Sequence, residues 1–430
     1  SSAAPLWLKK CCERKKIVIH QYKNNGLNIV MDVNSGSVHV VDDIVYDMIP
    51  LIEPLVNEGI KDPDTIKAAV LNIANIPYPE ENIREAVDEV LELEKEGQLF
   101  APDIYENYII DFKKRKTVVK ALCLHIAHDC NLACKYCFAE EGEYHGRRAL
   151  MSFEVGKKAL DFLVANSGNR VNLEVDFFGG EPLMNWNVVK QLVEYGRSIE
   201  KEHNKKFRFT LTTNGVLLND EILEFANKEM GNIVLSIDGR KEINDKMRPF
   251  RGGQGSYDII VPKFKKVAES RGQMNYYVRG TFTHNNLDFS KDVLHLADLG
   301  FKQISVEPVV AQPTDSYAIR EYLAVTPWGD LYPCHQFVGN EKFLMGNVDT
   351  GVVREDIRDE FKCCNVYAKE KCKKCFAKFY CSGGCAANSY NFHGNINDAY
   401  DVGCELQRKR IECAIMLKAA EMMDEQEEEA

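Results

Sequence analysis

The 430-residue sequence contains no apolar run approaching the ~18 residues of a membrane span. The short apolar runs near its start are broken by charge, so no secretory signal is visible. Positive charge is in deficit: 54 Lys and Arg stand against 65 Asp and Glu, a net charge of −11. That balance removes the usual electrostatic ground for nucleic-acid binding. Neither nucleic acid nor a membrane is expected as a partner. The low hydrophobicity of disordered chains is also missing, since 45% of residues are hydrophobic and 28% charged. The length suits two or three domains.

Cysteine is plentiful, with 15 in the chain. A disulfide scaffold scatters its cysteines through a small secreted domain. Here most fall into two groups, Cys130 to Cys137 and Cys334 to Cys404. Short fixed spacings in a large chain read as metal ligation in a reducing, cytoplasmic compartment.

Residues 17–110 read as a small α+β module. Lys16–Tyr22 is strand-like, and Leu27–Val33 and Val38–Val41 alternate as a hairpin around Asn34-Ser35-Gly36. Thr65–Ile73 and Glu81–Glu94 carry apolar residues at helical period. A strand-rich start backed by helices suits a winged-helix module. Residues 112–320 alternate strand and helix. Strands are expected over Val118–Ile126, Val171–Phe178, Phe207–Thr212, Ile233–Ile237, Asn275–Thr283 and Gln303–Val310. Helices are expected over Phe153–Asn166, Trp186–His203 and Asp220–Met230. About six strand–helix units predict a parallel sheet forming an open, partial (β/α)6 barrel, with polar motifs along one rim. Residues 321–413 are Cys- and Gly-rich and read as a domain held by metal. Residues 414–430 read as a helix end and a solvated acidic tail.

Cys130-x3-Cys134-x2-Cys137 places three thiolates on one tight loop. Three soft ligands without a nearby fourth suit an iron–sulfur cluster with an open iron. Three Cys plus a His is equally a structural zinc set, and His125 and His128 lie just upstream. The surroundings decide between these. Cys130-Asn131-Leu132-Ala133-Cys134-Lys135-Tyr136-Cys137 resembles the cluster loop of the radical S-adenosylmethionine (SAM) superfamily. Gly179-Gly180-Glu181-Pro182 resembles that family's segment holding the methionine amino group. Ser236-Ile237-Asp238-Gly239 resembles the strand end that contacts the ribose, and Arg248 the residue near the carboxylate. The resemblance implies a 4Fe–4S cluster on Cys130, Cys134 and Cys137, with SAM beside Tyr136, Gly179, Gly180, Glu181, Ser236, Asp238 and Arg248. It implies a 5′-deoxyadenosyl radical that abstracts a substrate hydrogen, a one-electron donor being the partner.

Cys372-x2-Cys375-x5-Cys381-x3-Cys385-x18-Cys404 resembles the C-terminal extension called SPASM, as does Gly329-x4-Cys334. Redox disulfides and a zinc ribbon are the rival readings of this set. The resemblance implies two auxiliary 4Fe–4S clusters, making three in all. Cys372, Cys375, Cys381 and Cys404 would bind the outer one, and Cys334 and Cys385 the inner one. That family places a further Cys before the Gly329 equivalent, and Thr314–Arg320 has none. A segment missing at Arg320-Glu321, Cys364, or an open iron able to bind a substrate thiolate are the alternatives. Cys363 and Cys364 otherwise read as structural thiols, and Cys11 and Cys12 have no assigned role.

Sulfatase-maturing members of the family carry Asp after Tyr-Pro-Cys, where this chain has His335. The runs Glu321–Gln336 and Cys381–Asn388 look instead like maturases of the Cys-rich peptides called SCIFF. This implies thioether (sactionine) bonds from Cys sulfur to an α-carbon of a leader-bearing, ribosomally made peptide. The leader would add a strand to the edge of residues 17–110. A carbon–carbon crosslink, epimerisation or sulfatase-type maturation are the alternatives. His335 and Glu307 are positional candidates for a base, and no catalytic side chain is assigned.

Overall fold

The computed structural model describes residues 18–73, 77–105, 118–144, 148–308 and 322–429. Lys16, Ile17, Cys11, Cys12, Val309, Val310 and the Thr314–Glu321 junction lie outside them. The chain divides into two units, the first formed by Ser1–Phe112, Asn365–Gly384 and Asn397–Ala430, the second by Lys113–Cys364 and Cys385–Ile396. The Cys-rich stretch is thus shared between them. Among the described residues no helix is long and apolar enough to cross a membrane.

In the first unit, β1 (Ile19–Asn24), β2 (Leu27–Asp32) and β3 (Val38–Val41) form an antiparallel sheet in that order. The β2–β3 turn is built by Asp32, whose carboxylate accepts from the amides of Asn34 and Ser35 at 2.9 and 2.8 Å. Helices α1 (Asp43–Asn57), α2 (Pro63–Leu71) and α3 (Glu80–Lys95) follow. Asp42 and Asp62 cap α1 and α2 through the amides of Val45 and Thr65. Helix α1 was not anticipated from the sequence, because Pro50 and Pro54 lie inside it. Pro50 has no N–H for the Tyr46 carbonyl one turn back. The Gln21 side chain supplies it instead, donating to that carbonyl at 2.7 Å. Val45, Met48, Ile49 and Ile52 give α1 a buried stripe at helical period. A second apolar cluster joins Met31 and Val33 to Phe376, Ala377 and Ile411. The last helix spans Asp401–Glu429 and so takes in nearly all of the stretch read from the sequence as a helix end and acidic tail.

In the second unit the parallel strands are β4 (Ala121–His128), β6 (Asn172–Gly179), β7 (Lys206–Thr213), β8 (Met230–Ser236), β9 (Tyr276–Phe282) and β10 (Ile304–Pro308). They lie in the order β4-β6-β7-β8-β9-β10. The short β5 (Ala149–Leu150) pairs antiparallel with β4. Helices α4 (Phe153–Asn166), α5 (Trp186–His203), α6 (Asp220–Glu229), α7 (Lys241–Met247), α8 (Tyr257–Ser270) and α9 (Ser290–Asp298) alternate with the strands, so all six expected strands are present. On its other side β4 pairs parallel with β11 (Tyr322–Val325). Antiparallel β12 (Asp330–Tyr332), β13 (Gly346–Asn347) and β14 (Gly351–Val352) extend that edge. With β11 these parallel strands put their C-terminal ends on one rim, where the loop of Cys130, Gly179 and Asp238 follow the ends of β4, β6 and β8.

Candidate active site and metal centres

The cysteine loop leaves β4 at Asp129. It is held by backbone bonds from Ala133 N to Pro249 O (2.8 Å) and from Lys135 N to Met247 O (2.9 Å). Arg251 donates to the Asp129 carboxylate at 3.0 Å and to the Cys130 carbonyl at 2.8 Å. Gly180 N bonds the Ala127 carbonyl at 2.7 Å, and Glu181 N bonds that of Asp129 at 2.9 Å. These contacts explain the paired glycines. A Cβ at Gly179 would enter the Ala127 carbonyl, and one at Gly180 that of Asp129. Gly179 also has φ +118°, where L side chains are disfavoured.

The Glu181 carboxylate is fully buried and spent inside the protein. It accepts from Leu183 N at 3.0 Å, Thr213 Oγ1 at 2.8 Å and Asn214 N at 2.7 Å. It ties the end of β6 to the end of β7. Asn214 in turn donates to Cys130 Sγ at 3.6 Å and to Asn131 Oδ1 at 2.7 Å. Asn214 is a site residue to which the sequence reading gave no role.

Tyr136, Asp238 and Arg248 form one connected group. Tyr136 OH donates toward the two Asp238 carboxylate oxygens, each at 2.8 Å, and accepts from Arg248 Nη1 at 2.8 Å. Thr281 N donates to the same carboxylate at 3.1 Å. Burial raises the Asp238 pKa, and Arg248 opposes it. The Arg248 Nε is buried without a hydrogen-bond partner, an opening for an anionic ligand group. Ser236 lies half-buried at the end of β8, in register with Arg279.

Cys130, Cys134 and Cys137 are close enough to act on one another electrostatically. Burial pushes the Cys130 thiol up to about 12 and Cys134 up to about 11. Thiols held so high become thiolates only beside a cation, and a coordinated metal deprotonates them outright. Among the described residues no three Cys, His, Asp or Glu side chains converge to hold a single ion. A cubane takes one thiolate per iron, so it asks for neighbouring rather than converging sulfurs. His125 and His128, the zinc candidates, bond each other at 3.0 Å. Their rings each pack 4.5 Å from that of Tyr144. Burial lowers both, His128 to about 4, so the pair is neutral at pH 7. Its outer nitrogens and the Tyr144 hydroxyl are buried without a partner, a feature the sequence did not signal.

Cys334 is fully buried after β12, and Cys385 caps the helix Ala386–His393 through Asn388 N. Cys364 donates to the Ile396 carbonyl at 3.2 Å, and Cys363 is half-buried at the end of the helix Glu355–Cys363. His335, next to Cys334, is pushed down to about 4 by burial, with Arg279 adding to it. In the first unit Cys372 feels Cys404, Cys375 and Cys381, so this set of four is brought together. Burial raises Cys372 to about 11, and Lys369 opposes it.

The model of the Radical SAM superfamily matches residues 124–286. The uncharacterized protein MJ0907 of Methanocaldococcus jannaschii is 30% identical over 190 residues, which cover 44% of this chain and 62% of that protein. The radical SAM cyclopropyl synthase TigE of Paramaledivibacter caminithermalis is 24% identical over 224 residues, 46% of each chain. The chain therefore spans less than two thirds of the length of either relative. The solved structure of native anSMEcpe with bound AdoMet and Cp18Cys peptide matches with a TM-score of 0.58 at 17% identity, covering 71% of this chain and 99% of that one. At that identity the likeness concerns the fold. Sheet order, rim glycines and the three-cysteine loop agree with the family match: residues 124–286 of this chain are a radical SAM domain.

Proposed function

We propose that the chain is a radical SAM peptide maturase that forms sactionine thioethers, Cys sulfur to α-carbon, in a ribosomally made Cys-rich peptide. The observation that carries this reading is the grouping, in a chain that also holds a radical SAM domain, of a second set of four cysteines, Cys372, Cys375, Cys381 and Cys404. Cys334 and Cys385 are the ligands proposed for an inner cluster, giving three 4Fe–4S clusters with the one on Cys130, Cys134 and Cys137. When bound, the first cluster and SAM supply a 5′-deoxyadenosyl radical that removes a hydrogen atom from the peptide. The residues of the chain orient these groups. Gly179 and Gly180, packed on the Ala127 and Asp129 carbonyls, would set the end of β6 beside the methionine end. Arg248 would offer its unpartnered Nε to the carboxylate, and Asp238, held by Tyr136 and Thr281, would face the ribose.

The peptide side of the proposal is supported by the peptide bound in the anSMEcpe structure. It is also supported by β3, a sheet edge with Val38 and Val40 exposed. An edge strand of this kind accepts an extended leader by strand addition. A carbon–carbon bond is the second reading, favoured by the likeness to a cyclopropyl synthase. The test is anaerobic. Reconstituted protein, reductant, SAM and a leader-bearing Cys-rich peptide are combined, and the peptide is weighed. A loss of ~2 Da with one thiol no longer alkylatable is expected, because one thioether removes two hydrogens. The same loss with all thiols still alkylatable would favour the carbon–carbon reading. SAM cleavage without any peptide product across Cys-rich substrates would overturn both.

A further inference from the structure

We propose that Arg279, with the His335 ring beside it, is a seat for a carboxylate of the peptide, either an acidic side chain or the C-terminus. This rests on the peptide reading above and names the chemistry of the group held. Phe177, Leu211, Ile233 and Tyr276 form one register row across β6, β7, β8 and β9, and all four are fully buried in the apolar core. Strand alternation therefore puts Phe178, Ser236 and Arg279 on the opposite face. There Arg279 is the register partner of Ser236 on one side and of Ser305 on the other. It is exposed, so solvent reaches that face. Among the described residues Arg279 makes no hydrogen bond and no ion pair. Other arginines near this rim have oxygen acceptors: Arg240 has Asp292 at 2.7 Å, Arg248 the Tyr136 hydroxyl at 2.8 Å, and Arg251 Asp129 at 3.0 Å.

His335 enters the same space. Its ring packs 5.1 Å from that of Phe178 and 5.8 Å from that of Phe138. The Arg279 charge acts on it. Its Nδ1 is buried without a hydrogen-bond partner, while Gln336 Nε2 lies 3.5 Å from the other ring nitrogen. A guanidinium presents a planar fork of N–H donors that matches a carboxylate in two parallel bonds. The free imidazole nitrogen adds a third polar contact beside it. Ser236 is one of the residues expected beside SAM. A peptide carboxylate held in its register row would bring the attached residue toward the place where hydrogen is removed.

The test is a ligand-observed NMR titration of the full chain, loaded with iron and sulfide, with SAM present. The probes are acetylated, amidated Gly-Asp-Gly and Gly-Asn-Gly, and acetylated Gly-Gly-Gly with its C-terminus free or amidated. Wild type is expected to bind a carboxylate probe about tenfold more tightly than its amide counterpart, in keeping with charged hydrogen bonds. A preference within the Asp and Asn pair makes the occupant a side chain, and one within the Gly pair makes it the C-terminus. Arg279→Gln is expected to abolish the preference without changing SAM affinity. Arg279→Lys, which keeps the charge but not the fork, is expected to retain part of it. Arg208→Gln removes a cation on the same face near the start of β7 and is expected to retain all of it. Equal binding of acid and amide probes by wild type would overturn the seat and leave the maturase reading to the peptide mass measurement. A tenfold loss of SAM affinity in Arg279→Gln would also overturn it, giving the cation to the SAM carboxylate. Equal losses in Arg208→Gln and Arg279→Gln would replace the seat with a diffuse positive field.

Discussion

The Tyr136 hydroxyl stands 2.8 Å from both carboxylate oxygens of Asp238, joining the residue before Cys137 to the end of β8. Arg248 completes the link from the far side of the same oxygen. Tyr136→Phe removes the hydroxyl, leaving Asp238 short of a donor and Arg248 Nη1 short of an acceptor in a buried place. Hydrogen bonds to charged groups are worth about 1.5–3 kcal/mol. The variant is expected to lose about that much stability and to bind SAM about tenfold more weakly. Denaturant unfolding and equilibrium binding measure the two. Wild-type affinity in a destabilised variant would confine the hydroxyl to a structural part.

Gly180→Ala drives a methyl group into the Asp129 carbonyl, which belongs to backbone and cannot swing aside. The loop of Cys130 must then move relative to β6. Iron bound per chain is expected to fall along with the unfolding midpoint. Gly253→Ala is the control, since nothing lies within 4 Å of a Cβ there. Its φ of +85° leaves only the backbone penalty of about 1 kcal/mol.

Asp176 sits on β6 with its carboxyl raised to about 6, chiefly by burial and then by Glu174, against Thr210 and Arg208. The sign follows from proton binding. Between the unfolded value near 3.8 and the folded value near 6, the native state holds the extra proton. This contribution is therefore full below about pH 4 and is lost as pH rises through about 6. Asp176→Asn is expected to flatten that slope and to stabilise the protein at pH 7 by roughly 2–3 kcal/mol. Unfolding free energies from pH 4 to 8 test it, and an unchanged slope would refute it.

Lys378 and Asp103 form an ion pair at 2.6 Å with side chains 1% and 6% exposed. Removing one member strands the other, at a cost of about 3–5 kcal/mol. Lys378→Met is expected to lose that much. Lys378→Met with Asp103→Asn is expected to recover a large part of it. A double-mutant cycle by denaturation distinguishes this from simple loss of packing, which the second change would not repair.

Much of the second unit was legible in the sequence. Phe153–Asn166 and Trp186–His203 are helices with the expected bounds, and the six parallel strands lie within a few residues of their apolar runs. Strands buried on both faces announce themselves. Helix α1 did not, because Pro50 and Pro54 argue against a helix locally. Its period of buried residues prevails, and Gln21, outside the helix, satisfies the Tyr46 carbonyl that Pro50 leaves without a donor. The cysteines and rim glycines stand out in the sequence by their spacing alone. Asn214 against Cys130, and the His125–His128 pair under Tyr144, depend on side chains that only the folded sheet brings together.

Phe376 lies between Cys375 and Cys381, yet its ring stacks on His20 of β1 at 3.5 Å. It shares an apolar cluster with Met31, Val33 and Ile411. The sheet proposed to recognise a leader and the loop proposed to hold iron therefore share one apolar cluster within one compact unit, which is expected to couple their stabilities. An apo chain should lose part of its grip on the peptide as well as its redox centre. A version trimmed of its first hundred residues should shed iron it was never designed to release. Under the proposed function, peptide recognition would be conditional on metallation, through the apolar cluster that Met31 and Val33 share with Phe376 rather than through a separate regulator.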